Sequence, residues 1–132
     1  MKILRFEDLK AWKAAREMAT MITRVAEVQP LDRELSLRRQ IKDAATSAMA
    51  NIAEGFKAGS DREFIRFLKI ARRSAAEVQS HLYVLLDRGY IKRDPFDKAY
   101  RACEDTNGLI GGLIRYLSRP RSRAPSPRRT DD

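Results

Sequence analysis

Residues 51–64 read Asn-Ile-Ala-Glu-Gly-Phe-Lys-Ala-Gly-Ser-Asp-Arg-Glu-Phe, and this stretch holds the end of one helix and the start of the next. Glycine often follows the last turn of a helix, so Gly59 is the predicted stop signal and Gly55 an earlier candidate. Ser60 precedes Glu63 at the spacing of a capping box, which predicts that a helix begins here. A link of about two or three residues forces two helices to lie antiparallel.

Apolar residues recur at intervals of three and four in four segments, which is the spacing of one face of an α-helix. Asp32 and Asp94 precede the second and fourth segments and are predicted N-caps, with Pro95 supporting the later start. Gln29-Pro30 is predicted to end the first helix, because the residue before proline avoids the helical region. The four predicted helices run from about Glu7 to Glu27, from Asp32 to Lys57, from the Ser60 capping box to Gly89, and from Asp94 to Pro120.

Short links between four amphipathic helices predict an all-α fold, an antiparallel up-down-up-down four-helix bundle. No segment alternates polar and apolar residues over a useful length, so no sheet is expected. The bundle is expected to occupy residues 1–118 as one domain. Residues 119–132 are rich in arginine and proline and lack apolar periodicity, so a disordered basic tail is predicted.

The chain is strongly basic. Its 132 residues include 27 lysines and arginines against 18 acidic residues, a net charge of +9. The tail contributes +3 and the remaining body +6, so the body is basic on its own account. This balance favours association with polyanions such as RNA or DNA. The alternatives are an acidic protein partner or a surface that serves only solubility.

The number of cysteines and the hydropathy of the sequence indicate the cellular compartment. Cys103 is the single cysteine, so no internal disulfide can form and a reducing compartment is expected. No run of 18 apolar residues occurs, and the N-terminus lacks the apolar region of a secretory signal. We therefore expect a cytoplasmic protein with no membrane partner.

Basic residues on the second and third predicted helices are candidates for nucleic-acid binding. On the third helix they step by four, three and four, which forms a row along one face that can follow phosphates. No aromatic residue is interleaved with this row, so contact is expected with the backbone and with little sequence preference. A merely solvated face is the alternative. The candidates are Arg62, Arg66, Lys69 and Arg73 in the row, and Arg38, Arg39 and Lys42 on the second helix.

Polar residues flank the apolar stripes of the same two helices and predict a polar seam. Assuming a turn centred near Ala58-Gly59, Gln40 should lie level with Glu77, Ser47 with Ile70, and Glu54 with Glu63. A network of hydrogen bonds that fixes helix register is favoured over a ligand or catalytic site. The predicted seam comprises Gln40, Ser47, Asn51, Glu54, Ser74 and Glu77.

The residue types needed for catalysis or metal binding are scarce. A bundle di-iron site needs two Glu-x-x-His pairs, whereas this chain has one histidine, His81, predicted to bond to Glu77. Cys103 falls in an apolar seam and is predicted to be inert. Residues 107–112 contain three glycines without the lysine of a phosphate loop, which leaves either a close helix contact with another subunit or simple tolerance. No catalytic residue, metal or cofactor is predicted, and the chain is expected not to be an enzyme.

Several of these residues together resemble a known family. The resemblance covers about residues 5–118 and links the chain to the four-helix bundle proteins encoded in intervening sequences of bacterial 23S rRNA genes. The residues that carry it are Phe6-Glu7-Asp8-Leu9 with Trp12, Gln40-Ile41, Asn51-Ile52-Ala53-Glu54-Gly55, Ser60, Glu63-Phe64, Phe67-Leu68, Ser74-Ala75-Ala76-Glu77 and Gly89-Tyr90-Ile91.

The resemblance implies a four-helix bundle that assembles as a homopentameric ring. Related proteins include the accessory variability proteins of diversity-generating retroelements, basic pentamers that work beside a reverse transcriptase and its RNA; nothing in this chain points to that enzyme. Apolar residues outside the main seams also need cover, namely Met18, Ile65, Val84 and Leu109. The expected function is a non-catalytic oligomeric adaptor that binds RNA, DNA or a ribonucleoprotein. The alternative is a structural protein-interaction scaffold whose charge is incidental.

Overall fold

The computed structural model describes residues 2–27 and 34–120. A 3-10 helix spans Phe6–Asp8, followed by the α-helices α1 (Lys10–Ala26), α2 (Leu35–Phe56), α3 (Asp61–Asp87) and α4 (Arg93–Ser118). The described residues contain no strand, which confirms the all-α prediction. The predicted helix end at Gln29-Pro30, the Asp32 cap and the tail beyond Pro120 lie outside the described residues. No helix of the described ranges is long and apolar enough to cross a membrane.

Each of the four helices packs against two others, so that they enclose a common core. α1 packs on α2, α2 on α3, α3 on α4, and α4 returns to α1, so the predicted bundle is confirmed. Its interior holds two apolar clusters stacked along the bundle axis. One includes Leu9, Trp12, Phe64 and Ile110 and lies at the end with the α2–α3 turn, called here the α2–α3 end. The other surrounds residues 82–96 at the opposite end, the α3–α4 end.

Two predictions about α1 are wrong. The helix begins at Lys10 rather than Glu7, because residues 6–8 form a 3-10 turn closed by the Leu9 N–H donating to the Phe6 carbonyl at 3.0 Å. Leu9 then takes an extended conformation, and the Phe6 ring packs edge-on against Trp12 at 5.2 Å. Met18 needs no partner subunit to cover it, because it is fully buried in the core.

The α2–α3 turn confirms one predicted signal and corrects another. Ser60 caps α3, its hydroxyl accepting from the Glu63 N–H at 3.0 Å. Gly59 has a φ of +95°, but it lies two residues beyond Lys57, the C-cap of α2, so it turns the chain toward Ser60 and does not itself end α2. Gly55 does not stop α2. A Cβ there would lie 2.8 Å from the Phe67 Cβ, so its role is to let α2 and α3 approach closely.

The α3–α4 turn is a Schellman motif. Gly89 has a φ of +75°, its N–H donates to Leu86, and the Tyr90 N–H donates to Leu85 at 2.8 Å. The Tyr90 hydroxyl also donates to Glu34 at 2.7 Å, which ties the start of α2 to this turn. The turn therefore holds the start of α2 as well as ending α3.

The predicted Asp94 cap is wrong. α4 begins at Arg93, and its N-cap is Lys92, which makes no side-chain capping bond. Asp94 still lies in the first turn, where a negative charge is favourable beside the unpaired N–H groups. Pro95 is tolerated in the same turn because its missing N–H would have had no partner inside the helix.

Candidate nucleic-acid interface

The predicted basic row occupies the outward face of the first half of α3. At 100° per residue its four members fall within about 60° of one another. All four are exposed, whereas Phe64 and Leu68 on the opposite side of the helix are buried. Because the core takes the apolar side, the cations point to solvent. The row consists of Arg62, Arg66, Lys69 and Arg73.

Arg66 is the most constrained cation of the row. Its Nε donates to Glu63 Oε1 at 3.0 Å, and its guanidinium carbon lies 4.7 Å from the centroid of the Phe67 ring. An exposed ion pair of this kind adds little stability, but it restricts the direction of the side chain. Within the described part of the chain, the other three members of the row form no ion pair, which leaves their donors open to a phosphate.

The row borders a groove between α3 and α4. Ile65 and Leu117 line it, together with Arg62, Arg66 and Lys69. Two carboxylates, Asp61 and Glu63, also reach the groove. The basic surface is therefore concave beside the row rather than a flat helix face.

The end of α4 adds Arg115, which sequence analysis did not assign to this surface, and Arg119, the first residue of the predicted basic tail. α3 and α4 are antiparallel, with Gln79 donating to Glu104 at 2.7 Å, so the C-terminal part of α4 lies beside the N-terminal half of α3. Arg115 is exposed there, and Arg119 stacks on the Tyr116 ring at 4.1 Å. The antiparallel order of α3 and α4, which the short link between them predicts, was the sequence signal that could have revealed this neighbourhood.

Arg38, Arg39 and Lys42 do not join the row. They lie in the first half of α2, at the α3–α4 end, and Lys42 approaches Glu27 of α1 at 3.9 Å. Ser47 pairs with Ser74, so antiparallel packing puts Arg39 level with the region of Leu82. The structure thus separates the sequence candidates into two groups at opposite ends of the bundle.

The net charge of the bundle is concentrated at one end. In the half around the α2–α3 end, residues 2–17, 49–73 and 107–120, charged side chains sum to +7. In the half around the α3–α4 end, residues 18–27, 34–48 and 74–106, they sum to 0. The two halves together account for all described residues. The basic character of the folded part therefore belongs to one surface region.

Part of the predicted polar seam forms. Ser47 and Ser74 share a hydrogen bond of 3.0 Å between α2 and α3, and the Asn51 side chain donates to the Ser47 hydroxyl at 3.1 Å and to its carbonyl at 2.9 Å. The three residues lie at the edge of the core, with Ser74 buried. They link two helices and hold no open donor set, as expected for a network that fixes register.

The other members of the seam face solvent, so that part of the prediction is wrong. Gln40 is exposed and donates to Ser36 on its own helix at 2.9 Å rather than to Glu77. Glu54 is exposed. Glu77 is exposed too, and it contacts His81 at 3.3 Å, which confirms the predicted His81 bond.

The residues of the seam miss their predicted partners because the observed register of α2 against α3 differs from the predicted one by about one helical turn. Ser47 lies level with Ser74, four residues beyond the predicted Ile70. α2 ends at Phe56, and residues 57–60 form the link before α3 begins at Asp61. Ser60 in this link is extended, with φ −143° and ψ 151°. α3 therefore starts about a turn beyond the end of α2.

The groups with potential reactivity are placed as structural residues. Cys103 is fully buried, and burial raises the pKa of its thiol from 9.0 to about 12. A thiol of this kind is a poor nucleophile near neutral pH. The described residues contain no group of three or more histidine, cysteine, aspartate or glutamate side chains arranged to hold a metal ion.

Comparison with known proteins agrees with this architecture. A family model described as 23S rRNA-intervening sequence protein matches residues 7–112. A crystal structure of a protein of unknown function from the S23 ribosomal protein family of Bacteroides thetaiotaomicron is similar, with a TM-score of 0.74 and 27% sequence identity. The similarity covers 80% of this chain and 98% of that chain. A comparison with curated proteins found no match.

Proposed function

The chain belongs to the 23S rRNA-intervening sequence protein family, and from that premise we propose that it is a non-catalytic oligomeric adaptor that binds RNA or DNA, alone or in a ribonucleoprotein, through its α2–α3 end. The observation that supports the proposal is the +7 charge of this half against 0 in the other. A concentrated positive surface attracts the phosphate backbone and releases its counterions. The single buried cysteine suits action in the reducing cytoplasm.

The composition of the surface favours contact with the backbone rather than with bases. The rings near the row, Phe67 and Tyr116, lie beneath Arg66 and Arg119 and are themselves partly buried. They are therefore not open platforms for stacked bases. Arginine and lysine contacts to phosphates orient a nucleic acid but do not read its sequence. We accordingly propose weak sequence preference.

Assembly multiplies this charge. We propose a closed ring of identical subunits, with five subunits as the resemblance implies. Leu109 is 39% exposed, and Ile65 and Val84 are partly exposed, so an apolar contact between copies has side chains available. Light scattering should give five times the chain mass of 15.2 kDa, and Leu109→Arg should lower it. A monomer at micromolar concentration would refute the ring.

Gel shifts with labelled RNA at low and moderate salt test the proposal. Replacing Arg66 and Arg73 with glutamate should weaken binding without unfolding the bundle, because both side chains are exposed. The logarithm of the affinity should fall with the logarithm of salt concentration by roughly 0.7 to 0.9 per phosphate contacted. A wild-type protein that fails to bind even at low salt would refute nucleic-acid binding.

A matched control separates local contact from overall charge. Replacing Lys98 and Arg101 with glutamate makes the same charge change on exposed positions of α4 at the α3–α4 end. The proposal predicts a much smaller loss of affinity for this variant. Equal losses would mean that net charge alone, and not the α2–α3 end, governs binding. Arg39→Glu tests the separate group on α2 in the same way.

The second candidate function is a protein-interaction scaffold whose charge is incidental. The observation in its favour is the set of exposed apolar side chains, Tyr83 at 48% and Leu109 at 39%. It predicts assembly without binding to RNA, so the same gel shifts distinguish it. A reverse transcriptase as the partner remains a hypothesis that comes from the resemblance alone.

A further inference from the structure

Two arginine side chains from different helices converge above a glycine of α4. A Cβ at Gly111 would lie 3.5 Å from Arg115 Nη1 and 3.8 Å from Arg72 Nη1. A Cβ at Gly112 would lie 3.7 Å from Arg115 Nη2. The two Nη1 atoms are thus no more than about 7 Å apart, and Gly111, which has no side chain, is buried beneath them.

The two cations are exposed and have no acidic partner. Within residues 2–27 and 34–120, neither Arg72 nor Arg115 takes part in an ion pair with a carboxylate. Like charges repel at this separation, although water screens them. An anion placed between them would remove the repulsion and meet donors from both sides. Such a pair is therefore arranged for an anionic group rather than for a partner within the bundle.

We propose that Arg72 and Arg115 form a clamp that binds one phosphate group of a nucleic-acid backbone above Gly111. The inference rests on the proposed function and names one phosphate contact within it. Guanidinium groups match phosphate oxygens through paired N–H donors, which a lysine ammonium does not reproduce. Arg72 directly precedes Arg73, the last member of the basic row, so the clamp extends the row from α3 onto α4.

The clamp gives a physical reason for a glycine in the middle of a helix. Glycine lowers helix propensity, but because it has no side chain it leaves space beneath the two guanidinium groups. At Gly111 a methyl group would be in ordinary van der Waals contact with both guanidinium groups. Alanine would therefore be accommodated by the fold while filling the floor of the phosphate position.

The test uses the full-length protein and a fluorescently labelled 12-nucleotide RNA of uridines. Arg72→Ala and Arg115→Ala should each weaken binding roughly tenfold, the loss expected for a charge-assisted contact. Because both arginines hold one phosphate, the double variant should lose little more than either single one. The slope of the logarithm of affinity against the logarithm of salt concentration should fall by about 0.7 in each single variant, and by the same amount in the double variant.

A pair of glycine variants tests the geometry. Gly111→Ala should weaken RNA binding several-fold while the melting temperature stays level or rises. Gly108→Ala makes the same change in the same helix, where a Cβ meets nothing within 4 Å, and should leave binding unchanged. Light scattering on both variants verifies that the assembly is the same. Equal effects on binding from the two variants would refute the clamp.

Other outcomes separate the clamp from the wider function. If the wild type binds and the Arg66, Arg73 charge reversal weakens binding while both arginine-to-alanine changes at the clamp do not, the clamp is wrong and the proposed function stands. If the two losses add fully and the slope falls twice, the arginines contact different phosphates and the clamp is wrong. If the wild type does not bind at low salt, both proposals fall.

Discussion

Ser47 of α2 and Ser74 of α3 share a hydrogen bond of 3.0 Å at the edge of the core. The bond joins residues 27 positions apart in the chain and marks the register of the two helices that meet at the α2–α3 turn. Asn51 donates to Ser47 from one turn further along α2. The register in turn decides which charged residues lie level with one another at each end of the bundle.

Ser74→Ala should destabilise the protein by removing this bond. Loss of a half-buried hydrogen bond costs about 1 kcal/mol, partly offset by the higher helix propensity of alanine. Ser80→Ala, at an exposed position of the same helix, changes propensity alone. The free energies of unfolding of the two variants, from urea titrations, should differ by about 1 kcal/mol. Equal values would show that the Ser47–Ser74 bond contributes nothing to stability.

Gly55→Ala and Gly108→Ala should change stability in opposite directions. At Gly55 the new methyl group would lie 2.8 Å from the Phe67 Cβ and 2.9 Å from a Phe64 ring carbon, and crowding of this kind costs about 1–3 kcal/mol. At Gly108 the methyl group meets open space, so the variant should gain up to about 1 kcal/mol in helix propensity. Thermal unfolding of both decides the matter, and a stabilised Gly55→Ala would contradict the close helix approach.

Cys103 should not react with thiol reagents in the folded protein at pH 8. Its folded pKa is about 12 and its unperturbed value is 9.0, so the folded thiol remains neutral where the unfolded thiol begins to ionise. The stabilisation from this difference is complete below pH 9 and is lost as the pH rises toward 12. Between these values, the wild type should lose more stability than Cys103→Ala, and parallel losses would show that Cys103 does not contribute.

Deletion of residues 121–132 should leave the melting temperature of the bundle nearly unchanged. The deleted sequence has no apolar periodicity with which to pack on the helices. It carries a net charge of +2. In the sequence it follows α4, whose C-terminal end lies beside the basic row. RNA affinity and its salt slope should therefore both fall. A drop of several degrees in melting temperature would show that the tail packs on the bundle.

Local signals made the helices predictable. The caps at Ser60 and Gly89 depend on the backbone conformations of a few neighbouring residues, and both appear as expected. The Asp94 cap failed although its local pattern was similar, because α4 begins two residues earlier than predicted and leaves Asp94 inside the first turn. A boundary error of this size is enough to change which side chain acts as the cap.

The candidate site was only partly predictable. The outward direction of Arg62 and Arg66 follows from the position of the apolar stripe on the same helix, which sequence periodicity gives directly. The separation of Arg38 from that row, and the approach of Arg72 to Arg115, depend on how far one helix slides along another. Sequence spacing within a helix contains no information about that displacement.

The sequence by itself determined four amphipathic helices, their antiparallel order and an excess of positive charge, because periodicity, short links and composition are properties of the chain alone. The tertiary structure decided the register of α2 against α3, which lies about one turn away from the predicted value. Two features set it: the close approach of Gly55 to Phe64 and Phe67, and the extended backbone of Ser60. That displacement pairs Ser47 with Ser74 and leaves Gln40 in solvent. The displacement of α2 along α3 is decided by packing between side chains that are distant in sequence. A shift of one helical turn keeps the apolar stripes of both helices facing each other, so the apolar periodicity of the sequence does not reveal it.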